Sequence, residues 1–233
     1  MAVNFCYFPD PGEPRWWVIS DSGEVVGVDD EANAMTSCLR DTWAARGGFA
    51  SGAYLAALSD EAVAEIFKPA PEAGVLPMLP ERAVALRKIG AALVAAGGAA
   101  AFVAAAEGSA LRFAGLLGEH GFLDQRDGAS YGVAQPLCFF KRAQLCAASL
   151  NGAGMPGYTF DDIDSLTVFS DYRLPQLFAK HEILHLTAHL AVTVKAELPV
   201  DENSAQEVEL RAATVAISDR IVKRVAARKQ GVS

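Results

Sequence analysis

Leu166-Thr-Val-Phe169-Ser-Asp171-Tyr172-Arg173-Leu-Pro175-Gln-Leu177 is the stretch from which the rest of the chain is best read. It places a carboxylate, a phenol and a guanidinium in three consecutive positions, with an aromatic ring two residues upstream and apolar residues on both flanks. Pro175 suits the first turn of a helix, where a missing N–H costs nothing. Asp171 is therefore expected just before that helix or in its opening turn. Free N–H groups and the helix dipole favour an ionised carboxylate there. The plainest reading is an N-cap beside a surface Arg; the alternative is an anion held ready for chemistry.

The composition sets outer bounds. The chain has 233 residues, 52% of them hydrophobic, which is enough to bury a substantial core in one large domain or two small ones. A formal net charge of −8 argues against a surface that coats nucleic acid, although a local basic pocket for one phosphate is compatible with it. Cys6, Cys38, Cys138 and Cys146 form no C-x-x-C pair and no disulfide-framework spacing, so buried thiols in a reducing cytoplasm are expected. The first residues carry no basic segment followed by a long apolar run, and no secretory signal is expected. Ile89–Ala106 is uncharged, but it is rich in Ala and Gly and broken by Gly97-Gly98. Two buried helices fit it better than a membrane span.

Read outward, the chain is mainly α. Trp16–Ile19 and Glu24–Val28 predict a β-hairpin around Ser20-Asp-Ser-Gly23. Helices are expected over 34–45, 59–67, 81–96, 99–106, 109–117 and 137–150, with a polar loop over 118–132. A further helix should run through the histidines at 181–189. The last should start at the capping box Ser204-Ala-Gln-Glu207 and continue to about Arg228.

Four groups of residues could carry chemistry. His181-Glu182-Ile-Leu-His185 matches H-E-x-x-H, which on a helix places two zinc ligands on one face with a glutamate as base. A zinc-dependent hydrolase is thus an alternative function, set against an amphipathic helix that happens to be His-rich. Lys141 and Gln144 interrupt an apolar stripe formed by Leu137, Phe140, Leu145 and Ala148. A buried Lys there requires an anion unless its stem snorkels to the surface. Glu207 and Arg211 have the spacing of an ordinary i,i+4 pair. Aromatics at Phe5, Tyr7, Phe8, Trp16 and Trp17 serve as core or as stacking surfaces for a heterocycle.

Together these pieces resemble one family. Asn4-Phe-Cys-Tyr-Phe8, Glu81-Arg82, Phe140-Lys-Arg-Ala-Gln144, the Leu166–Gln176 block and Glu207-Val-Glu-Leu-Arg211 fall in the order and spacing of the queuosine salvage proteins, the queuosine 5′-phosphate N-glycosylases. The chain departs from the family pattern at Val3, where a His is frequent, and in lacking an Asp/Tyr/Trp-rich motif near its C-terminus.

The resemblance implies a single domain over residues 1–233, with a mostly helical fold related to helix-hairpin-helix DNA glycosylases and a small N-terminal β element. It implies release of queuine from queuosine 5′-monophosphate for salvage into tRNA. The partners it implies are the nucleotide and queuine, with no cofactor, no metal, no membrane and no direct nucleic-acid contact. A queuine-binding protein without activity is the other alternative. The family's catalytic carboxylate falls on Asp171 and its base-contacting ring on Phe169. Lys141 and Arg173 are then expected to hold the phosphate, with Tyr172 beside them and Trp16 as a second stacking ring.

Overall fold

The computed structural model describes residues 2–46, 51–126 and 134–230. Its architecture is the expected mainly α one with two small β elements. By their internal contacts the described residues form two compact units, one within Met1–Glu107 plus Met155–Tyr158, the other within Gly108–Gly154 plus Thr159–Ser233.

In the first unit, β1 (Val18–Ile19) and β2 (Val25–Val26) pair antiparallel with Val18 opposite Val26. The expected turn joins them, and Gly23 supplies its positive φ of 83°. Then come α1 (Glu31–Arg46), α2 (Gly52–Ala56), α3 (Asp60–Ile66), α4 (Leu79–Ala96) and α5 (Ala99–Ala104). Ser59 caps α3 by accepting from the Ala62 N–H at 3.1 Å. α4 ends where the glycine pair predicts. Gly97 adopts a left-handed φ of 83°, and the Gly98 N–H closes back on the Leu93 carbonyl at 2.8 Å. Among the described residues no helix is long and apolar enough to cross a membrane.

α2 packs on α4 through facing glycines. A Cβ on Gly90 would lie 2.2 Å from the Ala56 nitrogen and 2.7 Å from the Gly52 carbonyl oxygen, both main-chain atoms that cannot move aside cheaply. Gly90→Ala is therefore expected to destabilise the protein by about 1–3 kcal/mol through overpacking. Denaturant unfolding measures this, and a stabilised variant would contradict the close approach.

Arg82 lies at the centre of this unit with no exposed surface. Its guanidinium donates to the carbonyls of Pro77, Val3, Phe5 and Cys6, and lies 4.5 Å from the centre of the Phe5 ring. Two of the sequence blocks, Asn4–Phe8 and Glu81–Arg82, are thus partners: the second neutralises the bent main chain of the first.

In the second unit, α6 (Ala110–Leu117) is capped by Ser109, whose hydroxyl donates to Asp162 at 2.7 Å. α6 packs on α7 (Lys141–Gly152). Helix was expected from Leu137, but Leu137–Cys138 is β4, paired with β3 (Gln125–Arg126). The Phe139 and Phe140 N–H groups extend that pairing to the carbonyls of Asp124 and Leu123, and Phe140 turns left-handed at φ 51° before α7 begins. α7 consequently buries Ala143, Gln144 and Ala147 rather than the stripe expected from Leu137. Part of the expected loop, 127–132, lies outside the described residues.

The histidine helix is not formed as expected. α8 (Arg173–Lys180) stops at His181, because Glu182 turns left-handed at φ 56° and the N–H groups of Ile183 and Leu184 both close onto the Phe178 carbonyl. A new helix, α9 (Ala188–Lys195), starts at the Thr187 cap. α10 (Ala205–Gln230) begins at the predicted box, where Ser204 Oγ accepts from the Glu207 N–H at 3.2 Å.

All four cysteines are free. Burial pushes the Cys38 thiol up to about 12, with Asp41 adding to the effect, so it is an inert core group. Cys138 is exposed rather than buried.

Candidate active site

Asp171 stands at the mouth of α8. Its Oδ1 accepts from the Arg173 N–H at 2.9 Å, so the carboxylate lies against the first residue of α8, just ahead of the helix as Pro175 predicts. Pro175 itself is buried in the first turn. The other carboxylate oxygen is left for a second role: Lys141 Nζ lies 3.9 Å from Oδ2. The Asp171 side chain is 31% exposed and that of Lys141 15%, so the pair is accessible from one side.

Lys141 is the first residue of α7, and its burial follows from how that helix is held. Gln144, three residues on and buried, accepts from the Thr167 N–H at 2.8 Å and donates to the Phe139 carbonyl at 3.1 Å. One amide thus fastens the Thr167–Asp171 segment to the start of α7. Burial pushes the Lys141 ammonium below the ordinary lysine value. The charges of Arg142 and Arg211 act in the same direction, and the carboxylates of Asp171 and Asp124 only partly oppose them.

Behind the pair lies a buried charge network. Arg211 on α10 donates to Asp124 Oδ1 at 2.9 Å and Glu207 Oε1 at 3.2 Å, and also pairs with Asp124 Oδ2. Arg126 binds Glu207 with two hydrogen bonds, 2.8 and 3.0 Å, and Asp124 at 3.1 Å. Burial alone would raise the Asp124 and Glu207 carboxyls, but the guanidinium hydrogen bonds and charges outweigh it and hold both below their usual range. Two anions and two cations balance, so the cluster is tolerated inside the unit.

The structure sorts the sequence candidates. Asp171, Lys141, Tyr172 and Arg173 are neighbours on α8, its approach and the start of α7. Tyr172 and Arg173 are exposed, and Phe169 is half-buried two residues before the carboxylate. Trp16 is a correction. Its ring is wholly buried in the first unit, Nε1 donates to the Phe67 carbonyl at 3.1 Å, and Tyr7 stacks parallel to it at 6.5 Å. It has no open face for a heterocycle.

The zinc alternative loses its geometric basis, since His181 ends a helix and His185 lies in the irregular segment before α9, so the i,i+4 face is never formed. Among the described residues no group of three His, Cys, Asp or Glu side chains is placed to hold a metal ion. Spacing alone passed over Asp124 and Arg126, and it read Glu207–Arg211 as an ordinary i,i+4 helix pair, which it is, without its further partners. The one available signal was that Gln144 and Arg211 both sit in the blocks that carry the resemblance.

A mainly apolar cleft of about 440 Å³ lies on the other side of Gln144 and Thr167, lined also by Phe139, Phe140, Leu111 and Val215. Neither Asp171 nor Lys141 lines it, so this cleft is not where the charged groups meet.

Comparison with known proteins brings these features together. The sequence model of the family described as queuosine salvage protein matches residues 1–233. A queuosine 5′-phosphate N-glycosylase/hydrolase of Sphaerobacter thermophilus is 35% identical over 219 residues, covering 92% of this chain and 64% of the relative. Proteins of the same description from Dictyostelium discoideum and Mus musculus are 31% and 32% identical, over 63% and 74% of this chain. The chain spans 46% and 53% of their lengths, so it matches only part of each of these relatives.

Proposed function

Given that the chain belongs to the queuosine salvage protein family, we propose that it hydrolyses queuosine 5′-monophosphate at the N-glycosidic bond and releases queuine. The observation that carries this reading is the Asp171–Lys141 pair: a partly exposed carboxylate fixed at a helix mouth by one oxygen, with a desolvated ammonium 3.9 Å from the other. The names of three relatives point to the same bond.

Breaking that bond builds positive charge on the ribose as the base departs with the bonding electrons. A carboxylate beneath the sugar stabilises the oxocarbenium-like species, captures it, or takes a proton from the attacking water. Water supplies the hydroxyl at C1′ and the departing base takes up a proton, giving ribose 5-phosphate and queuine. A 7-deazapurine has no N7 to protonate, so donors to its exocyclic oxygen must assist departure. Phe169, half-buried beside the carboxylate, is suited to stack on the base.

The decisive experiment incubates the protein with queuosine 5′-monophosphate and follows free queuine by mass spectrometry. Intact nucleotide that stays bound without product would support a binding protein instead.

Lys141 and Arg173 are assigned to the 5′-phosphate, for which ammonium and guanidinium groups are suited. Arg173→Ala or Lys141→Ala should erode the preference for nucleotide over nucleoside; an unchanged ratio of kcat/KM removes them from that role. The charge on Lys141 also sets a pH dependence. A lysine binds phosphate only while protonated, and burial lowers its pKa. The nucleotide preference should therefore fade on raising the pH sooner than an ordinary lysine would allow. Lys141→Arg should move that loss to higher pH, and a limb that stays in place would assign it to another group.

A further inference from the structure

The Asp171 side chain accepts a hydrogen bond from the Arg173 N–H two residues on, and its position is also set by the backbone that precedes it. Ser170 is 1% exposed and tied to α10 in both directions. Its carbonyl accepts from Arg211 Nε at 3.2 Å and from a second guanidinium nitrogen at 3.0 Å, and its hydroxyl donates to the Arg211 carbonyl at 3.0 Å. The guanidinium is itself immobilised by the Asp124 carboxylate and lies 4.1 Å from the centre of the Phe139 ring. Phe139 stands two residues before Lys141, and its carbonyl is held by Gln144.

Arg211 therefore touches both arms of the pair: the segment that ends in Asp171 and the segment that leads into Lys141. Building on the N-glycosidase reading, we infer that Arg211 is a positioning residue that fixes the separation of Asp171 and Lys141. Its planar fork allows this, since one guanidinium spans a carboxylate, a carbonyl and a ring face at once, which an ammonium cannot do. Arg126 is the natural control. It braces the same carboxylates, with bonds that run to Glu207, Asp124 and Glu202, while the carbonyl of Ser170 belongs to Arg211.

The test compares Arg211→Gln, Arg211→Lys and Arg126→Gln, each with kcat, KM and Tm measured on queuosine 5′-monophosphate. A displaced carboxylate should lower kcat about 10- to 100-fold in Arg211→Gln and raise KM by less than that, because Gln144 still holds the start of α7 while the reacting geometry at Asp171 is lost. Arg126→Gln should lower Tm and hold kcat within about threefold of the parent. Arg211→Lys keeps a cation against Asp124 and should show the same split, so it decides the matter should Arg211→Gln not fold.

Parental kcat in a folded Arg211 variant would overturn the inference, as would losses of kcat that track Tm equally at Arg211 and Arg126. A separate outcome identifies failure of the underlying reading: no turnover by the parent protein, or full turnover by Asp171→Asn. Turnover abolished by Asp171→Asn but intact in the Arg211 variants sinks the positioning role alone.

Discussion

Asp171→Asn should reduce queuine release from queuosine 5′-monophosphate by on the order of a thousandfold or more while leaving the protein folded. Asparagine keeps the shape of the side chain and an oxygen able to accept from the Arg173 N–H, so the mouth of α8 is preserved. What disappears is the negative charge, which is the property the reaction demands as the ribose becomes positive. It also removes the counter-charge 3.9 Å from Lys141. Asp171→Ala should be equally inactive and additionally lose about 1 kcal/mol from the missing hydrogen bond to the Arg173 N–H. The two variants together separate charge from structure. Turnover within tenfold of the parent in both would exclude Asp171 from the chemistry, whatever their stability.

The largest effect on stability is expected in the first unit, at Arg82. Arg82→Met keeps the length of the side chain but deletes every donor, stranding the carbonyls of Val3, Phe5, Cys6 and Pro77 around an apolar group. Each buried polar group left without a partner costs about 1–3 kcal/mol. Partial relaxation of Asn4–Phe8 would recover some of that, for a net loss of about 3–5 kcal/mol. Such a loss is a large fraction of the stability of a typical domain, about 5–15 kcal/mol. Chemical denaturation gives the value directly, and a change below about 1 kcal/mol would mean that the carbonyls are satisfied by other means. Arg82→Lys should fall between, since one ammonium cannot serve carbonyls that lie to several sides of it.

Much of the helical framework was legible because its signals are local. Ser59, Ser109 and Ser204 each announce a helix start by a side chain that reaches an N–H three residues on, and Gly97-Gly98 announce a stop. What misled were features whose cause lies far away in sequence. Leu137–Cys138 carries a helical pattern, yet β3 claims it. His181–His185 also reads as helix, but the chain closes on Phe178 first.

The candidate site divides in the same way. Asp171 could be placed from Pro175, whereas Lys141 was singled out from an apolar stripe that does not form, and its burial has another cause. Trp16 could not be assigned from its residue type, because an indole serves equally as core or as platform until its faces are counted. Arg211 was hidden for a different reason: its i,i+4 contact with Glu207 is real, but the decisive bonds go to Asp124 and Ser170, 87 and 41 positions away.

Those separations also fix the order in which the site can come into being. During synthesis Asp171 leaves the ribosome with its side chain, its proline and its turn already specified. The carbonyl just before it waits for a guanidinium that is still 41 residues from being made. Asp124 meets the Arg126 guanidinium two residues on, but its two hydrogen bonds to Arg211 wait longer still. The local hydrogen bond of Asp171 to the Arg173 N–H can thus form early, whereas the setting of the carboxylate relative to Lys141 belongs to the last step, when α10 docks.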